Sequence, residues 1–201
     1  MADRGYVAAS VGPTGHIAED EGGDVTPKAL YTAFSEQVVA LAEGGADVIC
    51  IETMSSLVEA IQAIKAAKER TKLPIMCTFT FVPSTRGFRT MMGASPECAA
   101  QEATAAGAHI IGANCGNGIV NMYAITREIR DAQPSTPILI QANAGAPVLE
   151  GDATVFKETP EFMASHALDL IRAGANIIGG CCGTTPAHIA AIAKIVKGRA
   201  N

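Results

Sequence analysis

Six short runs rich in β-branched and other apolar residues recur along the chain, at residues 6–11, 47–52, 74–81, 109–115, 138–143 and 176–182. Most are almost continuously apolar, the pattern of strands buried on both faces of a parallel sheet. Ala-rich stretches with apolar residues at helical spacing follow them, at residues 27–43, 56–70, 96–106, 118–132, 159–173 and 185–197. Regular alternation of strand and helix predicts an α/β protein, with a parallel sheet and helices packed outside it.

One phrase occurs three times: Gly44-Gly45-Ala46-Asp47-Val48-Ile49, Ala106-Gly107-Ala108-His109-Ile110-Ile111 and Ala173-Gly174-Ala175-Asn176-Ile177-Ile178. In each, a helix is expected to stop at glycine and a strand to start after alanine. The repeats lie about two βα units apart, the internal symmetry of a (β/α)8 TIM-type barrel. A doubly wound sheet gives the same alternation without requiring that regularity. Six strands are two short of a closed barrel, and 201 residues fall below the usual ~250. The helix at 185–197 closes the chain, so the missing pair is assigned to the N-terminus. The expected architecture is a (β/α)8 TIM-type barrel lacking its first two βα units, with residues 1–201 as one N-terminally incomplete domain. Open edges at 6–11 and 176–182 would be an association hazard, which leaves oligomerisation open.

Composition and charge narrow the class. Half-hydrophobic content (48%) with few aromatics and no Trp fits an α/β protein in which small residues let helices sit close to a sheet. A formal charge of −5 argues against a nucleic-acid partner, which calls for a basic face. No run of about 18 apolar residues exists, so no membrane span is expected. The opening MADRGYVAAS lacks the apolar core of a signal peptide, and a cytoplasmic location is expected.

Six cysteines in such a chain read as thiols or metal ligands rather than a disulfide framework. Cys50 and Cys77 lie inside apolar runs and Cys98 opens a helix, so these three read as small core hydrophobes. Cys115 and the Cys181-Cys182 pair instead sit at the ends of runs, beside glycines. In a parallel barrel the active site forms at the carboxyl ends of the strands, where Glu52, Cys115, Asn143, Cys181 and Cys182 all fall. Three thiolates with an open fourth position suit a zinc ion that binds and activates a substrate thiol. Two bland readings stand beside this one: core packing for Cys115 and a vicinal redox couple for the pair. Adjacent cysteines on a regular strand point to opposite faces, so both reach one metal only if the strand ends and the backbone turns. Gly179, Gly180 and Gly183 supply that freedom, and Thr184 or Thr185 with Pro186 can start the following helix.

The segments GANCG around Cys115, QANAG around Asn143 and GGCCGTTPAHIAAIA from Gly179 resemble the homocysteine S-methyltransferase family. SVGPTG at Ser10 and IETMSSLVEA from Ile51 fit the same pattern, and the resemblance spans essentially the whole chain. It implies that Cys115, Cys181 and Cys182 are zinc ligands, that Glu52 contacts the amino group of the substrate, and that Asn143 lies near the metal. Ala142 departs from the proline usual before that Asn. Glu52 competes with a reading as a solvated carboxylate before a Ser56–Glu59 capping box, and Asn143 with a turn residue. Arg86 and Arg89 read as a solvated basic loop. His16, His109, His166 and His188 show no ligand spacing and read as structural or exposed. Family members also begin with a strand ending in an Asp-Gly-(Ala/Gly)-Met-Gly-Thr-like segment, which nothing here matches.

The resemblance implies methyl transfer to homocysteine or a related thiol, giving methionine or a thioether, with the small-molecule thiol as substrate. A corrinoid (methylcobalamin) on a separate protein is the favoured donor, beside methyltetrahydrofolate relayed through it, a sulfonium or a betaine. The alternative is a non-catalytic or split zinc-binding chain that needs a complementing N-terminal chain. A barrel lyase or aldolase is disfavoured, because no lysine lies within the expected strands.

Overall fold

The computed structural model describes residues 5–198. The chain runs β1 (Ala8–Val11), α1 (Pro27–Glu43), β2 (Val48–Met54), α2 (Leu57–Arg70) and β3 (Ile75–Phe79). A short antiparallel hairpin, β4 (Val82–Ser84) and β5 (Gly87–Arg89), leads to α3 (Pro96–Ala106), β6 (Ile110–Gly118), α4 (Met122–Ala132) and β7 (Ile138–Asn143). A second hairpin, β8 (Val148–Glu150) and β9 (Ala153–Val155), precedes α5 (Pro160–Ser165), α6 (Ala167–Ala173), β10 (Ile177–Gly180) and α7 (Pro186–Lys197). None of the described helices is long and apolar enough to cross a membrane.

The six expected strands form one parallel sheet in the order β1-β2-β3-β6-β7-β10. Among the described residues the ladder stops at β1 and β10, which are the two edges. The described residues therefore make an open parallel sheet, not a closed eight-stranded barrel. Side chains alternate across it. Ile49, Ile51, Ile75, Cys77, Ile111, Ala113, Ile138 and Ile140 belong to the main hydrophobic cluster with Phe34, Ile64, Ile129 and Leu170 of the helices. Glu52, Thr78, Asn114, Gln141 and Asn143 occupy the alternate positions, so the face away from the helices is small and polar towards its carboxyl end.

Two expectations need correction. The segment of Arg86 and Arg89, expected as a loop, is a hairpin, and a second hairpin follows β7; each strand is three residues long, too short for a visible alternation, and β4 contains Pro83. The helix expected at 159–173 is two helices that break at His166. There the backbone tightens, with the His166 N–H bonded to the Met163 carbonyl at 3.2 Å. The His166 ring is hydrogen-bonded to the Tyr123 hydroxyl and lies edge-on to Phe162 at 4.7 Å.

The threefold phrase has a physical cause. Gly45, Gly107 and Gly174 all have left-handed backbones, with φ of 92°, 119° and 118°. The alanine after each donates back to the helix, Ala46 to Leu41 (3.2 Å), Ala108 to Ala103 (3.0 Å) and Ala175 to Leu170 (3.0 Å). This is a Schellman ending three times over. The polar residue that follows then ties down the neighbouring strand. Asp47 accepts from the Val7 N–H (2.8 Å), His109 Nδ1 from Ile75 (3.1 Å) and Asn176 Oδ1 from Ile138 (2.9 Å). His109 is thereby structural, as expected. Asn176 Oδ1 also accepts from Arg130 Nη2 at 2.8 Å. Asn176→Leu is expected to lower stability by about 1–3 kcal/mol, because the N–H of buried Ile138 loses its partner. A lower urea midpoint at unchanged slope checks this, and an unchanged midpoint refutes it.

Candidate metal centre

Both β2 and β6 break their ladders at the carboxyl end of the sheet. On β6, Asn114 pairs with Gln141 and Gly118 with Asn143, so four residues advance against two on β7. On β2, Ile51 pairs with Cys77 and Met54 with Phe79, so three advance against two on β3. Each bulge contains a non-glycine residue in the left-handed region, Cys115 (φ 60°) and Thr53 (φ 63°). Such positions are costly for side-chain-bearing residues, and bulges of this kind re-aim side chains next to sites. Cys115 is thus turned out of the ladder, and Glu52 stands beside the second bulge.

The cysteine pair is reached by a different route. β10 ends at Gly180, and the Cys181 N–H still bonds the Ala142 carbonyl at 2.8 Å. The chain then turns: Thr184 N–H and Oγ1 both bond the Cys181 carbonyl, at 3.1 and 2.7 Å. Gly183 takes φ 78°, and a Cβ there would lie 2.3 Å from Cγ of Phe156. A side chain at Gly183 is excluded by backbone and space together. Thr185 caps α7 with Pro186 at its first position. His188 Nδ1 accepts from the Thr185 N–H (3.1 Å), leaving Nε2 to donate to the Glu158 carbonyl (2.9 Å). His188 is therefore structural too.

These two constructions bring Cys115, Cys181 and Cys182 together. Their sulfur atoms all lie within 4.8 Å of one another, and Cys115 Sγ to Cys182 Sγ is 3.7 Å. Two sulfurs ~2.3 Å from a tetrahedral metal stand roughly 3.8 Å apart, so the donor set fits a zinc-like ion. Burial and the neighbouring Cys115 sulfur push the Cys181 thiol up to about 12, against a smaller opposing effect of the Asn114 side chain. Cys182 shifts upward as well, from partial desolvation and its hydrogen bond with Cys115. A divalent cation held by the three sulfurs would reverse that preference, because it stabilises thiolate directly.

Cys50 and Cys77 are buried, as expected of core thiols, whereas Cys98 is not part of the buried core. Burial, with the charge of Glu52, pushes Cys50 up to about 12, and full burial pushes Cys77 higher still. Cys98 is half-buried near the start of α3. Arg86 is exposed on the β4–β5 hairpin, and Arg89 turns back to the Phe88 carbonyl.

Glu52 accepts a 2.5 Å hydrogen bond from Ser10 Oγ. Asn143 is buried, and its Oδ1 accepts from the Cys182 N–H at 3.1 Å, so it holds the cysteine turn itself. The capping box expected at Ser56–Glu59 is only half formed. Ser56 Oγ accepts from the Glu59 N–H (3.0 Å), but the Glu59 carboxylate accepts from Thr14 N–H and Oγ1 (2.7 and 2.6 Å). Glu59 thus fastens the loop after β1. Sequence reasoning passed over Asn114, a buried polar residue inside an apolar run, whose Nδ2 lies 3.8 Å from Cys181 Sγ. The signal was its polarity at a position where the surrounding pattern demanded an apolar side chain.

An α/β protein with three thiols gathered at the carboxyl ends of a parallel sheet is a candidate thiolate-metal protein of half-barrel type. The sequence matches the homocysteine S-methyltransferase pattern over residues 1–196, and the chain belongs to that family. Among its relatives are the methionine synthases of Mycobacterium tuberculosis, 28% identical over 197 residues, and Mycobacterium leprae, 27% identical over 197 residues. The alignment covers 95% of this chain but only 16% of each synthase. The Escherichia coli homocysteine methyltransferase MmuM shares the fold. Its apo form superposes with a TM-score of 0.74 at 23% identity, over 96% of this chain and 64% of MmuM. Its metallated form gives 0.73 at 24% identity, over 93% and 60%. These relatives are enzymes, and the fold is a parallel half-barrel of their kind.

Proposed function

We propose that this chain carries the thiol-activating site of a zinc-dependent homocysteine methyltransferase, with Cys115, Cys181 and Cys182 as metal ligands. The observation that carries the reading is the convergence of three sulfurs, one of them exposed, within 4.8 Å at the carboxyl end of the sheet. Family membership and the metallated form of MmuM support it. Bound zinc would lower the pKa of a substrate thiol, so that sulfur is presented as a nucleophilic thiolate at neutral pH. The thiolate forms a bond to a methyl carbon as the bond from that carbon to the donor breaks, giving methionine or a related thioether. Glu52, fixed by Ser10, receives the substrate's ammonium group in this reading. Asn143 keeps the peptide of Cys182 in place and lines the metal side of the pocket.

The open sheet belongs to the same proposal. Six strands and two open edges among the described residues, with alignment to 64% of MmuM, support a barrel completed by two further βα units. Gln141 Oε1, buried on the face away from the helices, has no hydrogen-bond partner among the described residues. A split or non-catalytic zinc-binding chain is the second reading, favoured by those same edges. The methyl donor is a corrinoid (methylcobalamin) carried on a separate protein or domain, consistent with a chain spanning 16% of the methionine synthases it matches. A cytoplasmic setting would keep the thiols reduced.

The test is metal analysis joined to a methyl-transfer assay with homocysteine, run against methylcobalamin, a sulfonium and a betaine. About one zinc per chain is expected. Turnover by the chain alone favours a complete site; turnover only after adding the N-terminal segment of a relative favours the split reading. Reduced protein that takes up no zinc refutes both.

A further inference from the structure

Asn114 is 1% exposed, and every polar atom of its side chain is engaged. Its Oδ1 accepts from the Thr53 N–H (2.8 Å) and from Thr78 Oγ1 (2.7 Å). Its Nδ2 donates to Thr53 Oγ1 (2.7 Å) and reaches Cys181 Sγ (3.8 Å). Its own carbonyl accepts from Thr80 Oγ1 at 2.9 Å. Thr53 is the left-handed residue of the β2 bulge, and Cys115, the next residue after Asn114, is that of the β6 bulge. One amide therefore joins both breaks in the sheet and touches the sulfur of a third element.

We infer that Asn114 is a positioning residue of the metal centre, locking the Glu52–Thr53 and Cys115 bulges together while orienting the sulfur of Cys181 by an N–H···S hydrogen bond. The inference rests on the proposed zinc site. The two ends of the amide act differently, although Nδ2 also helps to hold Thr53 through its Oγ1. The Oδ1 side braces Thr53 and Thr78, which any structural asparagine could do. The Nδ2 side faces sulfur, and a donor there withdraws charge from a metal-bound thiolate and fixes its direction. Outer contacts of this type commonly alter metal affinity by about 10–100-fold. Neither aspartate nor leucine can replace both sides, since one lacks the donors and the other lacks every polar atom.

The experiment compares the full chain with Asn114→Asp and Thr78→Val. Zinc affinity is read by competition with a chromogenic chelator, and the thiolate-to-metal charge-transfer band by loading with Co(II). Asn114→Asp keeps the Oδ1 acceptor and removes the N–H donors. It is expected to bind zinc about 10–100-fold more weakly and to shift the cobalt band. Thr78→Val loosens the same side chain from the far side and is expected to change affinity by less than about threefold with the band unmoved. If Asn114→Asp fails to fold, Thr53→Ala serves: it removes the second Nδ2 partner and should shift the band with a smaller loss of affinity. The inference is overturned if the folded variant, Asn114→Asp or its substitute, matches the parent in affinity and spectrum. It is overturned equally if Thr78→Val is as damaging as Asn114→Asp. A parent chain that binds no zinc sinks the site reading and the inference together; a zinc-binding parent with an indistinguishable variant sinks the inference alone.

Discussion

Cys181→Ser is expected to remove stoichiometric zinc and any methyl transfer together, while Cys98→Ser leaves both unchanged. Zinc sites made of four ligands bind with about 10–16 kcal/mol, so each thiolate is worth roughly 3 kcal/mol, or about a hundredfold in affinity. A serine hydroxyl is a poor replacement, because it stays protonated and offers a hard oxygen where the ion prefers sulfur. Cys181 is the most telling of the three. It alone meets Asn114, and its thiol is the one pushed up to about 12. The pH dependence follows in sign. Cys181 and Cys182 both shift towards the protonated form, so both carry protons at neutral pH in the metal-free chain. Zinc uptake must then release at least two protons, and affinity climbs with pH by about a hundredfold per unit for two. Calorimetry in buffers of different ionisation enthalpy counts the protons. Zinc bound equally at pH 6 and pH 8, or retained by Cys181→Ser, would contradict the ligand assignment.

Much of this site was legible in the sequence because it depends on where strands end. The apolar runs gave all six strands of the sheet, and glycines beside Cys115 and Cys181 marked the places where the chain must leave it. The physical objection to adjacent cysteines was resolved as expected: β10 stops at Gly180, and Gly183 turns the backbone. Side-chain pairing across distant segments was not legible. Nothing local connects Asn114 to Thr53, 61 residues away, or Glu59 to Thr14. The Ser56–Glu59 spacing even suggested a different partner for Glu59, since a capping box is a local pattern and the actual acceptor role is a long-range one. The threefold phrase was visible as a repeat, but its polar fourth residue, Asp47, His109 or Asn176, gains meaning only when the neighbouring strand starts beside it. The two open edges at β1 and β10 were expected from the count of apolar runs, but what would cover them is not legible, for a plainer reason. An edge strand and an interior strand of a parallel sheet carry the same apolar pattern, so β1 and β10 do not announce in sequence what pairs with them.

Gly112→Ala should be the most damaging single methyl addition in the chain, and it tests the scaffold apart from the chemistry. Gly112 sits in the middle of the sheet, paired with Thr78 on one side and Leu139 on the other. A Cβ there would lie 1.7 Å from the Leu139 carbonyl oxygen and 2.7 Å from its carbon. Both are backbone atoms, so no rotamer change relieves the overlap; β6 must move away from β7. That motion breaks ladder hydrogen bonds and shifts Asn114, two residues further on, along with Cys115. A cost above about 4 kcal/mol follows, a large share of the roughly 5–15 kcal/mol that holds such domains folded. The melting temperature should fall by about 8–16 °C if the variant folds at all. Gly12→Ala is the matched control, because nothing lies within 4 Å of its Cβ position, and it should stay within about 0.5 kcal/mol of the parent. The two large effects then separate by kind. Cys181→Ser loses zinc with its metal-free melting temperature nearly kept, whereas Gly112→Ala loses zinc only as far as it loses the fold. A Gly112→Ala chain with parental melting and parental zinc would show that β6 and β7 tolerate wider spacing, and with it that the bulge geometry at Cys115 is not set by the close approach of these strands.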